Sequence, residues 1–240
     1  MVFGEQRVKA NDSLILFFIK YPEPGCVKTR LSKVLGAEVA ATIYRNFVSD
    51  MLEKLEASDI PFFICFWPPS RAKGFEEWLG RDYQYLPQGG NDLGERMKGA
   101  FEKAFLKGYK RVVLVGSDIP DLPFTIIAEA LKALETWSAA IAPALDGGYY
   151  LIGFHHRSFV PSIFQDIQWG KESVFRKTLS LLEGIEGGVY ILPAWSDVDT
   201  LEELIRLLER SPGTEFSSSR TIRHLASLSI GALGKRSGPK

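Results

Sequence analysis

Cysteine is scarce in this sequence. There are two in 240 residues, Cys26 and Cys65. They lie far apart with no CxxC or Cys/His spacing beside either, which argues against a zinc site and a disulfide framework. Cys65, inside Phe62-Phe-Ile-Cys-Phe66, reads as a small buried hydrophobe. An excess of one charge is also missing. Lys plus Arg and Asp plus Glu number 29 each, so bulk charge points to neither nucleic acid nor an anionic membrane, and any anion site must be local. No apolar run approaches a membrane span. The run at 14–19 is too short and lacks the flanks and cleavage site of a signal peptide, so the expected location is the cytoplasm. Neither a Walker loop nor GxGxxG occurs, which weakens P-loop NTPase and dehydrogenase readings. The three histidines, His155, His156 and His224, have no partner at metal-ligand or triad spacing, and Ser117 has no visible His/Asp relay.

What is present is an alternation of strands and helices. Four near-continuous apolar runs, 14–19, 62–67, 111–116 and 139–144, read as strands buried on both faces. Residues 149–154 and 189–192 are further candidates, and 83–86 is a weaker one. Between them lie helical patterns. In 37–57, Val39, Ile43, Phe47 and Met51 recur every four residues beside Ala40, Tyr44, Val48 and Leu52, a stripe wide enough for a well-buried helix. Residues 92–107 repeat the pattern, and helices are expected at 123–136, 172–183 and 200–210. The order predicts an α/β fold, a three-layer α/β/α sandwich on a mixed, mostly parallel, Rossmann-like sheet. One domain is expected over 1–210. A linker at 211–219, a short helix at 220–229 and a mobile tail from 231 to 240 would follow.

The chemistry-bearing residues gather where strands end. After the first strand, Pro24 and Gly25 stop the chain and Lys28, Thr29 and Arg30 follow. Two cations and a hydroxyl there suit a polyphosphate, because ligands of open α/β sheets bind at the carboxyl ends of the strands. The plain structural reading is a tight turn with two solvated cations. The run Val112-Val-Leu-Val-Gly-Ser117-Asp118 ends a buried strand in a carboxylate able to hold a divalent metal, Mg2+ or Mn2+, that bridges nucleotide phosphates. Asp197 and Asp199 alternate, so on an extended segment they face the same way. Thr200 or Asp199 could cap the next helix, leaving the other carboxylate as a second metal ligand. Asp146-Gly147-Gly148 reads as a hairpin turn and could also present Asp146 to an acceptor hydroxyl or a sugar. In Gln88-Gly89-Gly90-Asn-Asp-Leu93-Gly-Glu-Arg96, the glycines could let a nucleobase stack on the backbone and Arg96 could turn toward the site.

Taken in order, KxPxPGxVKTRL, QxGxDLGERM, GSDIPDL, DGGYYLIG and DVDTxEEL resemble a bacterial glycosyltransferase family associated with radical-SAM and selenium-domain proteins and linked to arsenosugar biosynthesis. The likeness spans about residues 13–205. Lys-Thr-Arg-Leu also resembles phospholactate guanylyltransferases, and GSDIP resembles molybdopterin nucleotidyltransferases. All share a GT-A-like nucleotide-diphospho-sugar transferase fold. The resemblance implies Mg2+ or Mn2+ on Asp118 with Asp197 or Asp199, phosphates on Lys28 and Arg30, and an acceptor side at Asp146, Gly147, Gly148 and Trp169. Two departures stand out. Lys171 replaces the Ser or Thr usual near Trp169, and Gly116-Ser117-Asp118 replaces the Asp-x-Asp of many GT-A enzymes. The expected activity is transfer of a sugar from a nucleotide-diphosphate donor to a small-molecule hydroxyl, with Asp118, Asp146 and Lys28 as catalytic candidates. The alternatives are nucleotidyl transfer from a nucleoside triphosphate to a phosphorylated acceptor, and a non-catalytic nucleotide-binding domain.

Overall fold

The computed structural model describes residues 12–228. The chain runs β1 (Ser13–Lys20), α1 (Thr29–Leu35), α2 (Ala37–Glu56), β2 (Phe62–Trp67), α3 (Ala72–Leu79), β3 (Tyr85–Pro87), α4 (Leu93–Leu106), β4 (Arg111–Val115), α5 (Phe124–Ala133), β5 (Ala139–Pro143), β6 (Tyr149–His155), α6 (Val174–Leu182), β7 (Val189–Ile191), α7 (Leu201–Arg210) and α8 (Arg220–Ser227). The seven strands form one sheet in the order β3-β2-β1-β4-β6-β5-β7. β1, β2, β3 and β4 are mutually parallel. β6 runs against both β4 and β5, and β7 is parallel to β5. The one reversal follows from the tight Asp146-Gly147 connection, since a few residues can join only antiparallel neighbours.

Alternation along β1 shows why its sequence is apolar throughout. Ile15, Phe17 and Ile19 pack with α2, α3 and α5 on one face, while Leu14, Leu16 and Phe18 pack with α4 and α6 on the other. The sheet is therefore the middle of three layers. The wide stripe of α2 serves two contacts. Tyr44, Val48 and Met51 face the sheet, and Ala40, Ile43 and Phe47 face Leu204, Leu207, Phe216 and Leu225.

The expected strands and longer helices are present within a few residues of their expected bounds. Two short helices, α1 and α3, were not foreseen. The stretch 211–219, expected as a linker, is mostly exposed and is anchored at two buried residues, Ser211 and Phe216. Phe216 is buried, and Asp50 on α2 accepts the backbone N–H groups of Arg220 and Thr221, both at 2.9 Å. That carboxylate caps the start of α8 and ties it to the sandwich. The expected tail at 231–240 lies outside the described residues.

Candidate functional site

The carboxyl ends of β1 and β4 and the β5–β6 hairpin open onto one cavity of about 360 Å3. This is the ligand-binding edge of an open α/β sheet. Asp118 enters it from the end of β4, Asp146 from the hairpin, and Asp197 and Asp199 from the segment before α7. The Val198 N–H donates to the Asp118 carbonyl at 2.9 Å, which docks that segment against β4. Val198 is fully buried, so the aspartates on either side of it both face the cavity, as alternation requires. Thr200 caps α7, and its Oγ1 accepts the Glu203 N–H at 3.3 Å. Glu203 Oε2 reaches back to the N–H groups of Asp199 and Thr200, both at 2.8 Å. Capping therefore uses neither aspartate carboxylate. At the far end of α7, Arg210 grips Asp121 with a two-pronged bond, Nε to Oδ2 at 2.6 Å and Nη2 to Oδ1 at 3.0 Å, which fixes the helix to the loop after β4.

Lys28, expected to meet phosphate and with a solvated cation as the plain structural alternative, is instead buried against carboxylates. It lies just ahead of α1 with φ 45° and ψ 48°, a left-handed conformation uncommon for a residue with a side chain. The side chain is 1% exposed. Its Nζ donates to Asp118 Oδ1 and, at 2.8 Å, to Asp199 Oδ1, and it lies 5.3 Å from the centre of the Phe47 ring. Burial alone would lower its pKa, but the two carboxylates outweigh burial and raise it above the ordinary lysine value. Lys28 also holds Asp199 below the usual carboxylate range, against the opposing effect of burial. Pro24, Gly25, Thr29 and Arg30 remain exposed around it. The turn thus buries one of its two cations and presents the other.

Of the other candidates, Gln88, Leu93, Arg96, Ser117, Gly148 and Trp169 line the same cavity, whereas the turn residues Pro24, Gly25, Lys28, Thr29 and Arg30 and the glycines Gly89, Gly90 and Gly147 do not. Gln88 is buried and pinned at the strand ends, its Nε2 donating to the Cys65 carbonyl at 2.7 Å and the Ile19 carbonyl at 3.4 Å. Gly89 has open space beside its Cα, whereas a Cβ on Gly90 would lie 2.5 Å from Glu95 Cβ. A side chain is therefore excluded at the second glycine and not at the first, and both residues are exposed. Asp92 caps α4, Leu93 lines the cavity, and Arg96 lays its guanidinium 3.6 Å over the Trp67 ring. Ser117 is held by the buried Tyr44, whose hydroxyl lies 2.8 Å from Ser117 Oγ and accepts the Lys20 N–H at 2.8 Å. Asp146 Oδ1 accepts the Gly148 N–H at 2.8 Å. Trp169 stands edge-on to Tyr149, with ring centres 6.3 Å apart.

Sequence reasoning missed Gly94 and Tyr44. A Cβ at Gly94 would lie 2.4 Å from the Phe164 carbonyl and 2.8 Å from the Trp169 ring, so glycine is what lets α4 abut Trp169. Tyr44 was hidden in an ordinary apolar stripe. No local pattern marks either residue.

Asp197 carries the clearest electrostatic signature. Burial, then the nearby Asp146, Asp199 and Glu203, push its carboxyl up to about 7, against the opposing pull of Lys28. Its native-state pKa is above the unfolded value, so the native state binds this proton more tightly. Stability is then lost as pH rises from about 4 through 7. Three units would be roughly 4 kcal/mol unscreened, and partial exposure brings this to about 1–2 kcal/mol. Asp197→Asn should therefore raise Tm by about 3–6 °C at pH 8.5 and leave it unchanged at pH 4, measured by calorimetry. An equal gain at both pH values would refute the electrostatic account.

The family model described as "Uncharacterized protein conserved in bacteria (DUF2064)" matches residues 51–171. The chain belongs to this family. The match takes in Gln88–Arg96, Asp118, Asp146 and Trp169, while Lys28, Asp197 and Asp199 lie outside it. A crystal structure from Desulfovibrio desulfuricans G20, described as a candidate nucleotide-diphospho-sugar transferase, is 44% identical to this DUF2064 chain. It superposes with a TM-score of 0.91, covering 96% of this chain and 100% of that one. A 2-phospho-L-lactate guanylyltransferase from Methanocaldococcus infernus is 25% identical over 213 residues, 85% of this chain and 87% of that protein. A cytidylyltransferase from Leptospira borgpetersenii serovar Hardjo-bovis is 14% identical with a TM-score of 0.53, over 96% of this chain and 99% of that one. The DUF2064 chain thus has the nucleotide-diphospho-sugar transferase-like fold expected from its sequence. Among its described residues no helix is long and apolar enough to cross a membrane.

Proposed function

We propose that the cavity binds a nucleotide-diphosphate sugar and passes the sugar to a hydroxyl of a small acceptor, with Mg2+ or Mn2+ as cofactor. The observation that carries this reading is the four aspartates, Asp118, Asp146, Asp197 and Asp199, around one strand-end cavity. Lys28 pairs with two of them, and Asp197 is left crowded by like charge. A phosphorylated acceptor would add further negative charge beside Asp146 and Asp197. A hydroxyl acceptor instead donates a hydrogen bond to such a carboxylate, which is the geometry a general base requires. Asp146 takes that role, since only its Oδ1 is engaged by Gly148.

The donor set suits a hard divalent cation, being carboxylate oxygen throughout. Among the described residues no three ligating side chains converge into a complete metal cage, but Mg2+ is commonly held by one or two carboxylates beside substrate phosphates. Asp118 with Asp197 or Asp199 would hold it. When bound, the ion supplies charge neutralisation to the departing diphosphate. Arg30, exposed beside the site, meets phosphate oxygens together with Lys28. Pro24, Gly25, Thr29, Gln88, Gly89, Gly90, Leu93, Arg96 and Ser117 complete the nucleotide side. Gly148 and Trp169 line the acceptor side with Asp146, and Gly147 shapes the turn that carries Asp146 and Gly148. The sequence resemblance to the arsenosugar-linked glycosyltransferases supports the same reading.

A second reading, nucleotidyl transfer, is favoured by the guanylyltransferase relative that matches 85% of the chain. The two separate cleanly in a product assay. With Mn2+ and a panel of nucleotide sugars and polyhydroxylated acceptors, the expected product is free nucleoside diphosphate. Pyrophosphate released from a nucleoside triphosphate, with no turnover of any sugar nucleotide, would decide for the second reading.

A further inference from the structure

We infer that Lys28 is an internal cation occupying the divalent-metal position, so that metal enters fully only when nucleotide phosphates draw the ammonium away. The inference rests on the metal-dependent reading above and goes beyond it in assigning an order and a coupling to the two ligands.

The geometry is specific. Asp118 Oδ1 and Asp199 Oδ1 both accept from the same Nζ. They come from strand ends and segments far apart in the chain, 90 and 171 residues from Lys28. A divalent ion held by these two carboxylates would need the space between them, and the ammonium stands in that space. Two cations cannot share it, because their repulsion would act in a partly buried site where screening by water is weak. The side chain is almost wholly enclosed, at 1% exposed, and rests against Phe47. It is therefore a seated group and not one of many rotamers of a surface lysine. Asp118 and Asp199 are 48% and 36% exposed, so they face the cavity from which a metal and a diphosphate arrive. The diphosphate offers Lys28 new acceptors of the same charge, and an ammonium passes readily between carboxylate and phosphate because it binds as a point charge.

The consequence is positive coupling. Metal binds weakly to the free protein, nucleotide binds weakly without metal, and each strengthens the other by the same factor. Removing the ammonium should shrink that common factor by strengthening metal binding to the free protein, which loss of a simple phosphate contact would not do. Lys28→Met, which keeps the stem against Phe47, should bind metal more tightly in the absence of nucleotide and show a reduced coupling.

The test is Mn2+ binding followed by electron paramagnetic resonance, with and without a nucleoside diphosphate, for the full chain. For the wild type the expected result is weak binding alone and at least tenfold tighter binding with nucleotide. For Lys28→Met it is at least tenfold tighter binding alone and a coupling several-fold smaller than in the wild type. Lys28→Arg retains the charge and should behave as wild type in the absence of nucleotide, which covers the case in which the methionine variant does not fold. If Mn2+ binds the wild type equally with and without nucleotide, or if Lys28→Met binds Mn2+ alone no better than wild type, the inference fails while the metal-dependent reading stands. If the wild type binds nucleotide but no Mn2+ under either condition, both fail together.

Discussion

Asp118→Asn should lower the proposed transferase activity by roughly a thousandfold while moving Tm by no more than a few degrees. The carboxylate is about half exposed and its backbone carbonyl, which anchors Val198, is untouched by the change. The asparagine can still accept from Lys28, and Lys28 keeps Asp199 as a counter-charge, so the structural cost is about 1 kcal/mol. What is lost is the negative charge at the end of β4 that would hold the ion against the departing diphosphate. Charge stabilisation of this kind is worth several kcal/mol in the transition state, and about 4 kcal/mol is a factor of a thousand. Steady-state kinetics beside thermal melts would check both halves. A variant with near-normal turnover would remove Asp118 from the chemistry. One that failed to fold would make it a structural residue.

Gly147→Ala should be the most damaging small substitution at the site. The residue has φ 90°, where a side chain is strained. A Cβ would also lie 2.2 Å from the Glu172 carbonyl oxygen and 2.5 Å from Glu172 Cα. Those are backbone atoms and cannot swing aside. The Gly147 carbonyl also accepts the Phe175 N–H at 2.9 Å, so the hairpin and the start of α6 would be pushed apart. Strain plus displacement comes to about 3 kcal/mol, a fall in Tm of about 6–12 °C for a chain of this size. Gly25→Ala is the control. Its φ is 80° with nothing within 4 Å of the added carbon, so only the strain remains, about 1 kcal/mol. Equal losses in the two variants would mean that the contact with Glu172 carries nothing.

The sheet was legible because a strand covered by helices on both faces must be apolar at every position. That is why 14–19, 62–67, 111–116 and 139–144 stood out and why β1, β2, β4 and β5 occupy them. The hairpin was legible from Asp-Gly between two such runs. α1 and α3 were not, since seven and eight residues give too few turns for a period to emerge, and Gly74 interrupts the second. The 211–219 stretch has a linker's composition and is mostly exposed, with Phe216 as its apolar anchor. The site was legible as a set of strand-end carboxylates and cations. The partnership of Lys28 was not, because lysine is ordinarily exposed and only the tertiary fold brings Asp118 and Asp199 to it. The space at Gly89 and its absence at Gly90 are likewise set by the neighbouring first turn of α4.

Lys28 and Asp199 are 171 residues apart, and this separation has a meaning in time. At about 5–20 residues per second, the interval between the synthesis of the two is on the order of 10–30 s. A growing chain can pair β1 with β2 and β4 well before Asp199 exists, so most of the sheet precedes the site. The cation meets its second carboxylate only after that interval, so the paired cluster forms later than the sheet that supports it.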